Sequence, residues 1–174
     1  YGMSETGMNT SNPYDGERVA GTVGYALPGV EARIADDDGN VLDPGAVGGI
    51  EVRGPNVFKG YWRMPEKTAE EVRNDGFFKT GDMGVMTDDG RVSIVGREKD
   101  LVITGGLNVY PKEVETLIDE IVGVTESAVI GVPHADFGEG VVAVVVGDVN
   151  VDLATVDAAL EGKLARFKQP KALF

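Results

Sequence analysis

The apolar positions of the chain follow two different rhythms. Up to about residue 98, short alternating segments are broken by Gly, Pro and Asp, and the runs Glu31 to Ala35, Gly49 to Arg53 and Val92 to Val95 predict half-buried strands. Asp36-Asp37-Asp38-Gly39-Asn40 supplies a hairpin turn after the first of them. Pro65 to Arg73 predicts a helix, with Pro65 near its start and Thr68, Ala69 and Val72 as a narrow buried stripe. Phe77 and Phe78 then anchor a return strand.

From residue 100 onward the rhythm changes. A strand over 101–104 leads through Gly105-Gly106 into a helix over 111–121, where Val114, Leu117, Ile118 and Ile121 recur at i, i+3, i+4 and i+7. A strand over 126–132, a loop holding Pro133 and Gly138, a strand over 141–146 and a helix over 152–165 follow. Leu153, Val156, Leu160 and Leu164 give that last helix its apolar face. Both late strands are nearly continuous Val/Ile/Ala runs, so helices should bury them on at least one face. The expected fold class is α+β: a small β-barrel-like subdomain over 1–98, followed by a compact α+β domain over 99–174.

Composition narrows the possibilities. With 174 residues, 42% of them hydrophobic and 26% charged, the chain can bury an ordinary core as one domain or two small ones. The longest apolar run, Gly140 to Gly147, falls far short of the ~20 residues that span a bilayer. No membrane span and no export signal are expected. The chain has no cysteine, so it has neither disulfides nor a thiol nucleophile, which agrees with a cytoplasmic setting. A net charge of −13 argues against nucleic acid as a partner, because that partnership needs Lys and Arg against phosphates. A nucleotide can still be held locally by backbone amides, a metal ion and one or two cations.

The densest information lies in Gly96 to Glu115, which joins a charged segment, an apolar strand, a Gly-Gly turn and a helix start with Pro111 in its first turn. It reads as a hinge leading into a mobile lid. This segment resembles the signature of the adenylate-forming acyl-CoA synthetases. Two further stretches match the same family in the same order: Tyr1-Gly2-Met3-Ser4-Glu5-Thr6 resembles its aromatic-Gly-x-Thr/Ser-Glu motif, and Phe78-Lys79-Thr80-Gly81-Asp82 its Thr-Gly-Asp motif. The likeness takes in essentially the whole chain. It implies a protein that uses ATP and Mg²⁺ to turn a small carboxylic acid into an acyl-adenylate, then passes the acyl group to coenzyme A and releases AMP.

By the same resemblance, Glu5 would be the Mg²⁺ carboxylate, Ser4 a hydroxyl for the α-phosphate, and Tyr1 the aromatic side chain against adenine. Asp82 would accept from the ribose hydroxyls, with Arg97 as a second ribose contact. Lys99 would be the hinge. Gly105 and Gly106 would line the pantetheine path, and Lys168 and Lys171 would meet coenzyme A phosphates. Read without the resemblance, Glu5 is a surface acid, Tyr1 a half-buried aromatic, Asp82 a turn residue and Arg97 a strand-surface ion pair. Gly105-Gly106 is then an ordinary turn and the lysines a solvated face. His134, alone without Cys, His or carboxylate partners at ligand spacing, makes a poor metal site.

The chain also reads as a C-terminal piece. The family's loop for the β- and γ-phosphates would lie upstream of Tyr1, and its lid lysine beyond Phe174, so the lid is expected to be truncated and the piece inactive alone. Within the family, the stretches 4–16 and 54–68 are similar to malonyl-CoA synthetases. A fatty-acyl or aryl CoA ligase, and a non-catalytic nucleotide- or protein-binding module of the same fold, remain the alternatives.

Overall fold

The computed structural model describes residues 1–147 and 151–174, which divide into two compact units, Tyr1–Glu98 and Lys99–Phe174. The first unit opens with two small ribbons: β1 (Gly2–Met3) pairs with β2 (Gly7–Met8), and β3 (Thr10–Ser11) with β4 (Tyr25–Ala26). Four antiparallel strands follow in the order of the chain, β5 (Glu31–Ala35), β6 (Gly48–Arg53), β7 (Phe78–Met86) and β8 (Val92–Arg97), with α1 (Pro65–Glu71) between β6 and β7. Ile34, Ile50, Val52, Phe78 and Val92 form the core, drawn from alternate positions of these strands as period-two patterning requires.

Two expectations are corrected here. The sheet is open, because β5 bonds only β6 and β8 bonds only β7 among its strands, so no barrel closes among the described residues. The helix stripe is only partly realised: α1 has no buried residue and Ala69 is exposed, while Val72, just past the helix, packs half-buried against the core. Thr68 instead serves the loop before the helix, accepting from the Tyr61 amide at 2.9 Å and donating to the Met64 carbonyl at 2.9 Å.

The long strand β7 is not regular. Gly49 pairs with Met83 and Glu51 with Lys79, so Thr80, Gly81 and Asp82 together face the single residue Ile50. The chain arches out of the sheet there, and Gly81 at φ +72° occupies a conformation that only glycine adopts without penalty. Nearby, Glu51 is 2% exposed and is held by Arg33 at 2.8 Å and by the Arg73 guanidinium, which satisfies a carboxylate that burial alone would disfavour.

The second unit is built on a five-stranded sheet. A tight hairpin joins β9 (Val102–Thr104) to β10 (Leu107–Val109), then α2 (Pro111–Ile118) leads to the long pair β11 (Val124–His134) and β12 (Gly138–Gly147). α3 (Leu153–Leu160) follows, and β13 (Ala172–Leu173) runs parallel to β12. Val102, Val109, Val114, Ile118, Val129, Val141, Val156 and Leu160 make its core.

Both helices end earlier than their apolar periodicity suggests. Glu161 is already extended and Gly162 sits at φ +73°, yet Leu164 remains buried, so an apolar residue on the helical repeat reaches the core from the turn beyond the helix. β11 in turn runs through Pro133, which pairs opposite Glu139, and shortens the expected loop to 135–137. No helix is long and apolar enough to cross a membrane among the described residues.

Candidate functional site

The arch of β7 presents Asp82. Its amide donates to Thr80 Oγ1 at 3.1 Å, and the Thr80 hydroxyl donates to the Ile50 carbonyl at 2.7 Å, so the sequence Thr80-Gly81-Asp82 ties itself to the neighbouring strand. Asp82 is buried at 5% exposure. One of its oxygens, Oδ2, accepts from the Tyr1 hydroxyl at 2.6 Å, and the other, Oδ1, faces Arg97 Nε at 3.0 Å. Arg97 stands directly opposite on β8. Three residues expected to meet a nucleoside, Tyr1, Asp82 and Arg97, are thus in direct contact.

Burial foremost, and then the Asp82 hydrogen bond, raise the Tyr1 hydroxyl well above the ordinary phenol value, so it remains a neutral donor. A carboxylate offers about four lone-pair sites, of which this one uses two, leaving one acceptor on each oxygen. Tyr1 also borders an open hollow of about 720 Å³ lined with Asn12, Thr22, Tyr25 and Leu27. The ion pair of Arg97 is the alternative its sequence position offered, and the same contact brings it to the carboxylate.

Ser4 and Glu5 lie in the turn between β1 and β2, Ser4 exposed and Glu5 half-buried. The turn is braced from outside: the Phe58 amide donates to the Glu5 carbonyl at 2.8 Å, and Asn56 Nδ2 donates to the Thr6 carbonyl at 2.9 Å. Tyr61 donates its hydroxyl to Glu5 Oε1 at 3.2 Å. No group of three or more His, Cys, Asp or Glu forms a metal cage among the described residues. Mg²⁺ does not need one, since it keeps several waters and takes one or two carboxylates together with substrate phosphates. The hard oxygens of the Glu5 carboxylate fit that requirement.

In the second unit Lys99 is exposed within a 3₁₀ turn, Glu98–Asp100, that lies where the chain divides. Gly105 and Gly106, at φ +58° and +78°, form the two-residue turn that brings Thr104 opposite Leu107. Positive φ at both central positions is what a type I′ hairpin demands, so these glycines have a backbone reason to be present. Lys168 is engaged by both oxygens of Glu113 on α2, at 2.8 and 2.6 Å, whereas Lys171 is exposed. The Lys168 side chain is therefore committed to its own unit in this structure. His134 accepts from the Asp136 amide and stacks on Phe137, a local turn role.

Sequence reasoning missed Tyr61 and Thr80 as site residues. Thr80 was visible as the hydroxyl two positions before the acid. Tyr61 carried no signal beyond its place in Gly60-Tyr61-Trp62, because its partner is 56 residues away.

Residues 1–62 match the AMP-binding enzyme model and residues 113–174 match the AMP-binding enzyme C-terminal domain model. The chain belongs to the AMP-binding, adenylate-forming enzymes.

Among solved structures it is similar to ATP-bound MatB from Rhodopseudomonas palustris, at 65% identity and a TM-score of 0.96, with 100% of this chain and 35% of that one covered. It is 44% identical to the malonate–CoA ligase of Arabidopsis thaliana, over 85% of this chain and 24% of that protein. It is 43% identical to the indoleacetate–CoA ligase of Aromatoleum aromaticum, over 98% of this chain and 34% of that protein. The chain spans about a third of the length of the curated relatives it matches.

Proposed function

We propose that the protein is an AMP-forming acid–CoA ligase that activates malonate. Residues 1–98 belong to the domain that holds the nucleotide, and residues 99–174 form the mobile lid. In the first half-reaction a carboxylate oxygen of the acid attacks the α-phosphorus of ATP, and the bond to pyrophosphate breaks. In the second, the sulfur of coenzyme A attacks the acyl carbon, the bond to AMP breaks, and the thiol proton passes to solvent. Mg²⁺, when bound, supplies positive charge for the phosphates.

The observation that carries this reading is the contact of the buried Asp82 carboxylate with Tyr1 and Arg97. A carboxylate whose position is fixed by a tyrosine and an arginine, and which keeps one acceptor free on each oxygen, is suited to receive the two ribose hydroxyls. Ser4 contributes a hydroxyl toward the α-phosphate and Glu5 the metal carboxylate, both from a braced turn. Such chemistry rests on positioning and charge neutralisation. Lys99 acts as the hinge, and the Gly105-Gly106 turn lines the path of coenzyme A. A cytoplasmic setting, where ATP and coenzyme A are both at hand, goes with this function.

Malonate is favoured by the 44% identity to a malonate–CoA ligase, and an aryl acid is the second reading, on the 43% identity to an indoleacetate–CoA ligase. AMP release by the full-length protein with Mg-ATP and coenzyme A, compared across malonate, acetate, a medium-chain fatty acid and indoleacetate, distinguishes them. Malonate-dependent release is expected. Release only with another acid would overturn the substrate, and nucleotide binding without pyrophosphate exchange would turn the reading toward a binding module.

A further inference from the structure

Tyr61 stands outside the motifs yet touches one of their residues. Its hydroxyl reaches Glu5 Oε1, and its ring and backbone are held by neighbours. The ring meets Phe58 edge-on, centroids 4.8 Å apart, and Phe58 meets buried Phe78 in the same way at 5.5 Å, so an aromatic chain connects the hydroxyl to the core. The Tyr61 amide is held by Thr68 Oγ1, and Gly60 before it adopts φ +139° with no room for a Cβ, which would stand 2.8 Å from the Thr68 methyl.

The Glu5 backbone is held by the Phe58 amide, and its side chain, with three torsions to order, accepts a side-chain hydrogen bond from Tyr61. We propose that Tyr61 is a positioning residue that holds Glu5 in one rotamer through Oε1 and leaves Oε2 for a divalent cation. The proposal rests on the reading of Glu5 as the Mg²⁺ carboxylate.

The test uses the full-length protein and Tyr61→Phe, which keeps the ring and removes only the donor. Because this hydrogen bond acts on the cation only through the order of Glu5, a fraction of its free energy reaches the metal, and its loss should raise the free Mg²⁺ needed for half-maximal rate roughly 3- to 10-fold. The KM values for the acid and for coenzyme A, and the melting temperature, should stay as they are. Mn²⁺ binding followed by electron paramagnetic resonance, with a non-hydrolysable ATP analogue present, should weaken by the same factor. Unchanged Mn²⁺ affinity in Tyr61→Phe, with weakened affinity in Glu5→Gln, would overturn the role of Tyr61 alone. Unchanged affinity in Glu5→Gln would remove the metal reading of Glu5 beneath it.

Discussion

Replacing Asp82 with alanine tests the nucleoside site most directly. Asp82 is 5% exposed, and its carboxylate is anchored by Tyr1 at 2.6 Å and Arg97 at 3.0 Å, which fixes its orientation. A hydrogen bond to a charged group contributes roughly 1.5–3 kcal/mol, which puts the expected loss of AMP affinity at about 10- to 100-fold. The substitution also strands the Tyr1 hydroxyl, an added cost to stability of about 1–3 kcal/mol. The Arg97 ion pair adds little, because that side chain is half exposed and well screened. Asp82→Asn separates the two effects: it keeps one acceptor for Tyr1 and removes the charge that both ribose hydroxyls would use. Titration calorimetry with AMP on the full-length protein, alongside thermal melting, gives both quantities. AMP affinity within about twofold of wild type in Asp82→Asn, at unchanged melting temperature, would refute the ribose assignment.

Other substitutions probe the remaining parts. Glu51→Ala leaves the Arg33 and Arg73 guanidiniums facing each other across a buried vacancy, and should cost about 3–5 kcal/mol, a fall of at least about 10 °C in the melting of the first unit followed by circular dichroism. A loss of under 1 kcal/mol would show that the network is dispensable. Lys99→Pro fixes φ at the division between the units, so pyrophosphate exchange should survive better than thioester formation in the full-length protein. Equal losses in both would remove Lys99 as the hinge. Acid should destabilise the fold through Glu31, Asp36, Asp89 and Asp152, whose carboxyls are held below their usual range by hydrogen bonds from Arg53, Asn40, Thr87 and Thr155 respectively. The unfolded chain protonates these groups first as pH falls, so stability should be level above about pH 5 and decline below about pH 4. A melting temperature that does not change from pH 7 to pH 3 would contradict this.

The sequence by itself determined the elements whose signals are local. Alternation gave the cores of β5, β6 and β8, the turn after Ala35 and the strand built on Phe78. The apolar repeat of Val114, Leu117 and Ile118 gave α2, and the motifs gave Ser4, Glu5, Asp82, Arg97 and the two glycines as candidates. It also showed where the rhythm changes, close to the place where the contacts divide the chain.

Only tertiary structure decided the rest, because the deciding partner lay far along the chain. Whether Asp82 is a turn residue or an oriented carboxylate depends on Tyr1, 81 positions away, and on a strand arch that exists only against Ile50. Whether Lys168 is free or paired depends on Glu113, 55 positions away. Gly105 and Gly106 showed a turn in the sequence, but β10 after them was hidden, since a three-residue strand has too little pattern to detect until it pairs with β9. Periodicity overran the helix ends for the opposite reason: it records which residues face the core, and Leu164 faces it from a turn. Sheet closure has no local signature at all, so an open sheet and a barrel made from the same alternating strands differ only in whether the edges meet.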